Sequence, residues 1–300
     1  MIAWVDGFFL DDSAAAVPIT DRGFLYADAV FETARLHDGG YFRLQRHLDR
    51  LERSAAIMRL PLPPRAEIAG VAFELARRSS LAEGTFRVTV TRGSGHGPRM
   101  VATLAPLVDW RVRAQRGWRL VTARRRLPTV DAVPHDLKTT GRVVSLLARQ
   151  EAADAGVDDV LMLTAAGAVA EGPTWNVFWR RGDTMFTPAL ETGVLDGVTR
   201  GEMVALAAAL DVRVVEGIYA RADLDRADEM MATMSSLGIV PIRELDGRIL
   251  PTSTTAERLQ EAYWTHVAAS VERAQGTDRA SATGSDFLPD ATDERGGRED

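Results

Sequence analysis

HDLKTTGRVVSLLARQEA, residues 135–152, carries the only lysine of the 300-residue chain, Lys138. Lysine and arginine residues together number 36, and all of them except Lys138 are arginines. A surface lysine is readily exchanged for arginine, but only an amine can lose its proton and form an imine with a carbonyl compound. A leftover lysine on a solvated face is the alternative. The retention of one lysine makes Lys138 a candidate reactive amine.

The segments on either side of Lys138 indicate a boundary between two structural units. Residues 126–136, RLPTVDAVPHD, contain two prolines and few apolar side chains, which is typical of a linker. Residues 141–155 predict a helix that stops at Gly156. The predicted organisation is a small N-terminal α/β domain over 1–120, a linker over 121–136, a larger C-terminal domain over 137–275 and a tail over 276–300.

The pattern of apolar residues predicts a mixed α/β (α+β) fold. Residues 44–58 and 65–79 have the three- and four-residue spacing of amphipathic helices. Residues 85–93, TFRVTVTRG, alternate as a strand does. In the second half, residues 159–188 predict a meander of strands, which makes this half rich in β-structure. Residues 276–300 are polar and rich in Gly and Asp, which predicts disorder.

The composition argues against several classes of function. A net charge of −6 does not suit a nucleic-acid-binding protein, and the lack of cysteine excludes disulfides and thiolate metal sites. His and Asp residues show no metal-ligand spacing. The N-terminal MIAWVDGFFLDD lacks the basic region of a signal peptide, and no run approaches the roughly 18 apolar residues of a membrane span. We expect a cytoplasmic protein with no membrane or nucleic-acid partner and no metal.

Other features of the sequence suit, as Lys138 does, the binding of a phosphorylated aldehyde cofactor. Glu171, in VAEGPTWNVF, ends a predicted strand just before a Gly-Pro turn. An acid at this position can pair with a pyridinium nitrogen and keep it protonated, which makes the ring a better electron sink. A solvated turn acid is the alternative.

A candidate phosphate site precedes the helix predicted for TRGEMVALAAAL. The sequence LDGVTRGEM places Val198 and Thr199 where the first N–H groups of a helix are free to bind an anion. The alternative is that Thr199 is an ordinary N-cap residue.

Two further segments offer donors to the same phosphate. The Met234–Ser236 turn follows a predicted strand, and Arg50 of HLDRL can supply a bidentate guanidinium. A surface arginine paired with Asp49 or Glu52 is the alternative for Arg50.

Taken together, these motifs resemble the class IV aminotransferases, the pyridoxal-phosphate enzymes of fold type IV. The resemblance covers roughly residues 1–255. The motifs that carry it occur in this order: RGFLYADAVFETARL (22–36), RHLDRLERSA (46–55), HDLKTTGRVVSLLARQEA (135–152), EGPTWNVFW (171–179), GVTRGEM (197–203) and MMATMSSLGIVPI (230–242).

The resemblance implies pyridoxal 5'-phosphate as the cofactor and assigns its contacts. Lys138 matches the lysine that forms the Schiff base, and Glu171 matches the acid on the pyridine nitrogen. The residues that match the phosphate cup are Arg50, Val198, Thr199, Met234 and Ser235. The resemblance also implies a cofactor held between a small and a large domain. It further implies a homodimer or higher even oligomer whose partner loops close the site over small amino and keto acids.

The position of the substrate carboxylate is indicated by two segments. The loop TRGSGHGPRM (91–100) aligns with an arginine-bearing loop of the family, so that His96 and Arg99 are candidates to hold the α-carboxylate. An exposed loop histidine is the alternative for His96. Phe31 occupies the place of a tyrosine that holds the carboxylate in D-amino-acid aminotransferases.

Differences from the motifs of individual branches indicate which branch of the family the chain resembles most. Val143 replaces a tyrosine of branched-chain enzymes, and Met234 replaces an asparagine of aminodeoxychorismate lyase. A D-amino-acid-type aminotransferase is therefore preferred, with aminodeoxychorismate lyase as the alternative. Branched-chain or R-selective amine transaminases come next, and a non-catalytic binding protein with the same fold stays open.

Overall fold

The computed structural model describes residues 1–95, 97–134, 137–251 and 254–273, which fold into two β-sheets and seven α-helices. This confirms the predicted α/β class; the predicted 276–300 tail lies outside the described residues. The helices, in chain order, are α1 (Arg22–Tyr26), α2 (Leu44–Met58), α3 (Arg65–Ser79), α4 (Trp110–Gln115), α5 (Val143–Ala155), α6 (Val198–Ala209) and α7 (Thr254–Ser270).

The first sheet has seven strands, and the recorded pairs within it are antiparallel. Its strands are β1 (Ile2–Val5), β2 (Phe8–Asp11), β3 (Ala29–His37), β4 (Gly40–Phe42), β5 (Gly84–Thr91), β6 (Arg99–Pro106) and β15 (Val271–Glu272), in the order β15-β4-β3-β5-β6-β1-β2. Helices α2 and α3 begin and end where the apolar spacing predicts.

Helix α2 is held on this sheet by one apolar face. Leu44, Leu48 and Leu51 are completely or almost completely buried, and they pack with strand residues such as Val88 in one core cluster. Burial of each leucine side chain contributes about 2 kcal/mol. The polar positions between these leucines include Arg50, so the same packing fixes where the Arg50 guanidinium can reach.

The second sheet has eight strands, with β14 attached to β13 outside the main order. Its strands are β7 (Trp118–Arg126), β8 (Asp159–Leu163), β9 (Asn176–Arg181), β10 (Thr184–Pro188), β11 (Arg213–Gly217), β12 (Glu229–Met234), β13 (Gly238–Leu245) and β14 (Arg248–Ile249), in the order β11-β10-β9-β12-β13-β7-β8.

Two local predictions for this half are wrong. Residues 121–126 were expected to begin a linker, but they continue β7, which pairs in parallel with β8 and β13. Residues 159–188 do not form a simple meander either, because β8 lies at the edge of the sheet beside β7 while β9 pairs with β10 and β12. The division into domains stays a prediction.

The segment that contains Lys138 leaves β7 and crosses onto the first sheet. The Phe31 N–H donates to the Lys138 carbonyl at 3.1 Å, and the Lys138 N–H donates to Ser54 Oγ at 3.0 Å. Val30 of β3 and Thr139 form an isolated bridge. The lysine backbone is therefore fixed on β3 and α2, and its side chain is directed between the two sheets.

The glycine at the end of α5 has the predicted role. Gly156 adopts φ 65°, and its N–H belongs to the left-handed turn that closes the helix. None of the described helices is both long and apolar enough to cross a membrane.

Candidate active site

The Lys138 amine lies inside a cavity between the sheets. Its Nζ is 4.8 Å from the centre of the Phe31 ring, and the residue lines a cavity of about 170 Å³ together with Arg50 and Glu171. Removal from water, followed by repulsion from Arg50, lowers the pKa of Lys138 to about 7. A large share of the amine is therefore uncharged near neutral pH, which a nucleophile for a carbonyl carbon requires. A lysine on a solvated face is excluded.

The Glu171 carboxylate faces the same cavity with one of its oxygens held. Oε2 accepts from Asn176 Nδ2 at 3.0 Å and from the Leu195 N–H at 3.0 Å. No hydrogen bond to Oε1 is recorded among the described residues. Burial raises the pKa of Glu171 to about 7, against the opposing effect of the Leu195 N–H. A solvated turn acid is excluded, and Oε1 is left for a ligand.

Arg50 is buried and bound to an acid on another element. Its Nε and Nη2 donate to the two Glu32 oxygens at 2.6 and 2.9 Å, and Nη1 donates to the Asp196 carbonyl at 2.8 Å. The alternative pairing with Asp49 or Glu52 is therefore not observed. Arg50 connects β3 to the turn before α6.

Glu32 is a member of the site that sequence reasoning missed. Its Oε2 also lies at hydrogen-bond distance, 2.8 Å, from His47 Nδ1. Burial would raise the pKa of Glu32, but the charge of Arg50 and the bond to His47 hold it well below its usual range. An acid directly after the apolar residues Ala29, Val30 and Phe31 in a strand was the available signal.

Helix α6 presents free N–H groups to the cavity. Gly197 is its N-cap and supplies no side-chain bond to the first turn. Thr199 is therefore not the N-cap, contrary to the alternative considered for it; like Val198, it lines the cavity. A Cβ at Gly197 would clash with Asn176 Oδ1, so glycine lets this helix start lie against the residue that holds Glu171.

The β12–β13 turn completes the cavity with hydroxyl groups. Met234 and Ser235 line it, and Ser235 Oγ lies 3.5 Å from His47 Nε2. Thr233 Oγ1, which belongs to the same wall, is buried without a hydrogen-bond partner in the described part of the chain. Such an orphaned group is expected where a ligand supplies the partner.

The residues present fit a phosphorylated aldehyde with a ring nitrogen. An amine of lowered pKa, a carboxylate with a free oxygen, and a helix N-terminus beside an arginine line one cavity. These groups suit, respectively, a carbonyl carbon, a protonated ring nitrogen and a phosphate. All seven predicted cofactor residues meet here: Arg50, Lys138, Glu171, Val198, Thr199, Met234 and Ser235.

The predicted substrate residues do not all reach the cavity. The cavity continues past Lys138 into an adjoining, larger part of about 380 Å³, and Phe31 lines this larger part. Arg99 instead forms ion pairs with Asp6 and Asp21, and it does not line either part. His96 lies outside the described residues.

Two arginines that sequence reasoning did not select line the cavity. Arg87 of β5 and Arg142, four residues after Lys138, both line the larger part. Their only sequence signal is position, since Arg87 lies on the face of β5 opposite the buried Phe86 and Val88, and Arg142 directly precedes α5.

Comparison with known proteins agrees with this geometry. Residues 29–245 match the family model of the class IV amino-transferases. A putative branched-chain-amino-acid aminotransferase of Methanocaldococcus jannaschii is 34% identical over 88% of the chain and 95% of its own length. Aminodeoxychorismate lyase of Bacillus subtilis is 30% identical over 81% of the chain and 86% of its length. D-alanine aminotransferase of Bacillus licheniformis is 26% identical over 82% and 88%.

Solved structures share the whole architecture. The branched-chain aminotransferase of Thermoproteus uzoniensis, solved with norvaline, superposes with a TM-score of 0.84 at 29% identity, over 90% of the chain and 95% of that structure. A hypothetical aminotransferase of Mycobacterium tuberculosis in its PLP-bound form gives 0.83 at 27% identity, over 90% and 99%. The fold is therefore that of the fold type IV enzymes, and the chain is a member of the class IV aminotransferase family.

Proposed function

We propose that the chain is a pyridoxal-phosphate-dependent aminotransferase, which moves an amino group from an amino acid to a keto acid. The observation that carries the proposal is the position of the single lysine amine in one cavity with Glu171 and the start of α6. The PLP-bound M. tuberculosis relative supports the choice of cofactor.

Each part of the cavity has a distinct task in this proposal. Lys138 would hold the aldehyde carbon of the cofactor, and its amine would be the base that takes the α-proton of the substrate and the acid that returns it. Its pKa of about 7 suits both directions of proton transfer. When bound, the cofactor would supply an electron sink, and Glu171 Oε1 would keep its ring nitrogen protonated.

The start of α6 and the β12–β13 turn would hold the cofactor phosphate. The first N–H groups of α6, at Val198 and Thr199, would donate to it, and the Ser235 and Thr233 hydroxyls line the same cavity. Arg50 contributes charge, although Glu32 already pairs with it.

The sequence pattern and the relatives support three alternatives for the substrate. The sequence pattern favours D-amino acids, and the relative from B. licheniformis is a D-alanine aminotransferase. The relatives from M. jannaschii and T. uzoniensis carry branched-chain names, which supports L-amino acids with branched side chains. The B. subtilis relative supports aminodeoxychorismate lyase as the second candidate function.

Half-reactions of the purified, PLP-loaded protein test the proposal. Each of D-alanine, L-leucine and R-phenylethylamine is added alone, and loss of the cofactor absorbance band is followed. Bleaching by D-alanine supports a D-amino-acid enzyme, whereas bleaching by L-leucine or by the amine reassigns the donor. Pyruvate released from aminodeoxychorismate, with no half-reaction on any donor, favours the lyase. A protein that binds PLP but performs neither reaction refutes enzymatic function.

We also propose that two copies of the chain associate at the mouth of the cavity. Phe24 and Tyr26 of α1 and Val143 and Leu146 of α5 are exposed. The end of α1 adjoins the start of α5, because Thr140 Oγ1 donates to the Ala27 carbonyl at 3.3 Å. An apolar surface beside the mouth suits a second copy, whose loops then help close the site, as the family resemblance implies.

A further inference from the structure

A second cavity, of about 390 Å³, is lined mainly by α4 and α7. Its volume is within the range of pockets that bind small molecules. Ala114 of α4 and Ala268 of α7 line it, and their small side chains leave the space between the two helices open. It shares no lining residue with either part of the cavity beside Lys138. The second cavity is therefore separate from the proposed catalytic site.

Three of the side chains that line the second cavity are aromatic and in contact with one another. The ring centres of Trp110 and Trp264 are 4.2 Å apart, and the His37 ring centre lies 5.6 Å from that of Trp264. Trp110 is buried, whereas Trp264 is partly exposed. Such a surface suits a flat aromatic ring, which stacks on other rings and buries a large apolar area.

A buried arginine fixes the two tryptophans from outside the second cavity. Arg35 Cζ lies 4.2 Å from the centre of the Trp110 ring and 5.1 Å from that of the Trp264 ring. Arg35 itself does not line the cavity, and its guanidinium pairs with Glu83. The aromatic surface is thus held in place before any ligand arrives, which lowers the entropic cost of binding.

Two side chains of opposite charge line the second cavity from different helices. Arg111 belongs to α4 and Glu261 to α7, and both are exposed. Neither side chain forms a recorded ion pair within the described part of the chain, so they do not neutralise each other. Arg111 Cζ lies 4.7 Å from the centre of the Trp110 ring, which places this cation beside the aromatic surface.

The charge of Arg111 is not balanced by the nearby acid. Burial lowers the pKa of Arg35, Glu83 opposes this effect, and the charge of Arg111 adds to it. The Glu83 carboxylate already pairs with Arg35, so Arg111 is a second cation next to a satisfied ion pair. An anionic group of a ligand beside Arg111 would relieve the repulsion between the two arginines.

We propose that the second cavity is a non-catalytic binding site for an aromatic α-amino acid in its zwitterionic form. The ring of the ligand stacks on Trp264, its carboxylate pairs with Arg111 and its ammonium group pairs with Glu261. An aromatic acid without an amine leaves Glu261 unpaired, and an aromatic amine without a carboxylate leaves Arg111 unpaired. This site is independent of aminotransferase function, because none of its residues belongs to the cavity beside Lys138.

The test is calorimetric titration of the PLP-loaded protein after reduction with borohydride, which prevents turnover of an amino acid. The three probes are L-phenylalanine, 3-phenylpropanoate, which lacks the ammonium group, and 2-phenylethylamine, which lacks the carboxylate. The wild type should bind L-phenylalanine more tightly than either of the other two, because only this probe pairs with both charged side chains.

Variants of the two charged residues assign each contact. Arg111→Gln should weaken binding of L-phenylalanine and 3-phenylpropanoate by about two- to fivefold, as expected for an ion pair at an exposed position, and leave 2-phenylethylamine unchanged. Glu261→Gln should weaken L-phenylalanine and 2-phenylethylamine by a similar factor and leave 3-phenylpropanoate unchanged.

Matched controls lie on the same two helices outside the second cavity. Arg113→Gln on α4 and Glu257→Gln on α7 remove the same charges and should bind all three probes as the wild type does. A wild type that does not bind L-phenylalanine would overturn the proposal. The same affinity in all four variants would also overturn it, because the probe would then bind elsewhere. So would losses in Arg111→Gln and Glu261→Gln that do not depend on which charge the probe carries.

Discussion

Lys138 and Glu171 derive their chemistry from burial, which moves both of their pKa values toward about 7 from opposite sides. A lysine loses its charge when it is dehydrated, and a glutamate gains a proton. Arg50 adds to the effect on Lys138 by repulsion. One side chain is thereby prepared to attack a carbonyl carbon, and the other to share a proton with a ring nitrogen.

The reactivity of Lys138 should follow this lowered pKa. Because the pKa is lowered, the free amine predominates above about pH 7, and protonation removes it as the pH falls below that value. The rate at which the cofactor-free protein combines with PLP, followed by absorbance, should rise with pH to a midpoint near 7. A lysine derivative with a blocked α-amino group is the reference, with a midpoint near 10.4. A midpoint near 10 for the protein would contradict the account.

Sequence reasoning identified these residues because each has an unusual local setting. The single lysine and the acid before a Gly-Pro turn are visible along the chain. Glu32 was missed because its partner Arg50 lies 18 residues away on another element. The ion pairs of Arg99 with Asp6 and Asp21 were missed for the same reason, since nothing in the local sequence specifies contacts between distant segments.

At the scale of elements, helices with a full apolar face were predictable and short or polar elements were not. Helix α2 runs from Leu44 to Met58 as its leucine spacing indicates. Strand β7 ends in three exposed arginines, so its last residues have the composition of a linker although they pair with β8. Helix α1 has five residues, which is too short to show a helical period.

The start of α6 should depend on the glycine before it. Gly197→Ala places a Cβ against Asn176 Oδ1, which must displace either the helix start or the residue that holds Glu171. We expect the dissociation constant for PLP, measured by fluorescence titration, to rise at least about tenfold, since one or two charge-assisted bonds are lost.

Gly201→Ala is the matched control within the same helix. A Cβ there meets nothing within 4 Å, so this change should leave PLP affinity unchanged and stabilise the helix by up to about 1 kcal/mol. Equal PLP affinity for both variants would show that the α6 start does not hold the phosphate.

At the scale of the whole molecule, the site lies between the two sheets and opens beside exposed apolar side chains. Phe24→Asp should weaken association of two copies and shift the sedimentation coefficient toward that of a monomer at low micromolar concentration, because a buried charge disfavours an apolar interface. Ile249→Asp, an exposed apolar position on β14, is the control and should sediment as the wild type does. A wild type that sediments as a monomer would refute the proposed association.

The account depends most on one covalent bond, between PLP and the Lys138 amine. Borohydride reduction of the PLP-loaded protein, followed by proteolysis and mass spectrometry, locates that bond directly, and Lys138→Arg is the control that keeps the charge without the reactive amine. Because the chain has a single lysine, the N-terminal amine is the only competing primary amine. We predict one phosphopyridoxyl group on the peptide that contains Lys138 and none on the Lys138→Arg variant. Label on the N-terminal peptide alone, or equal label on both proteins, would contradict the central claim.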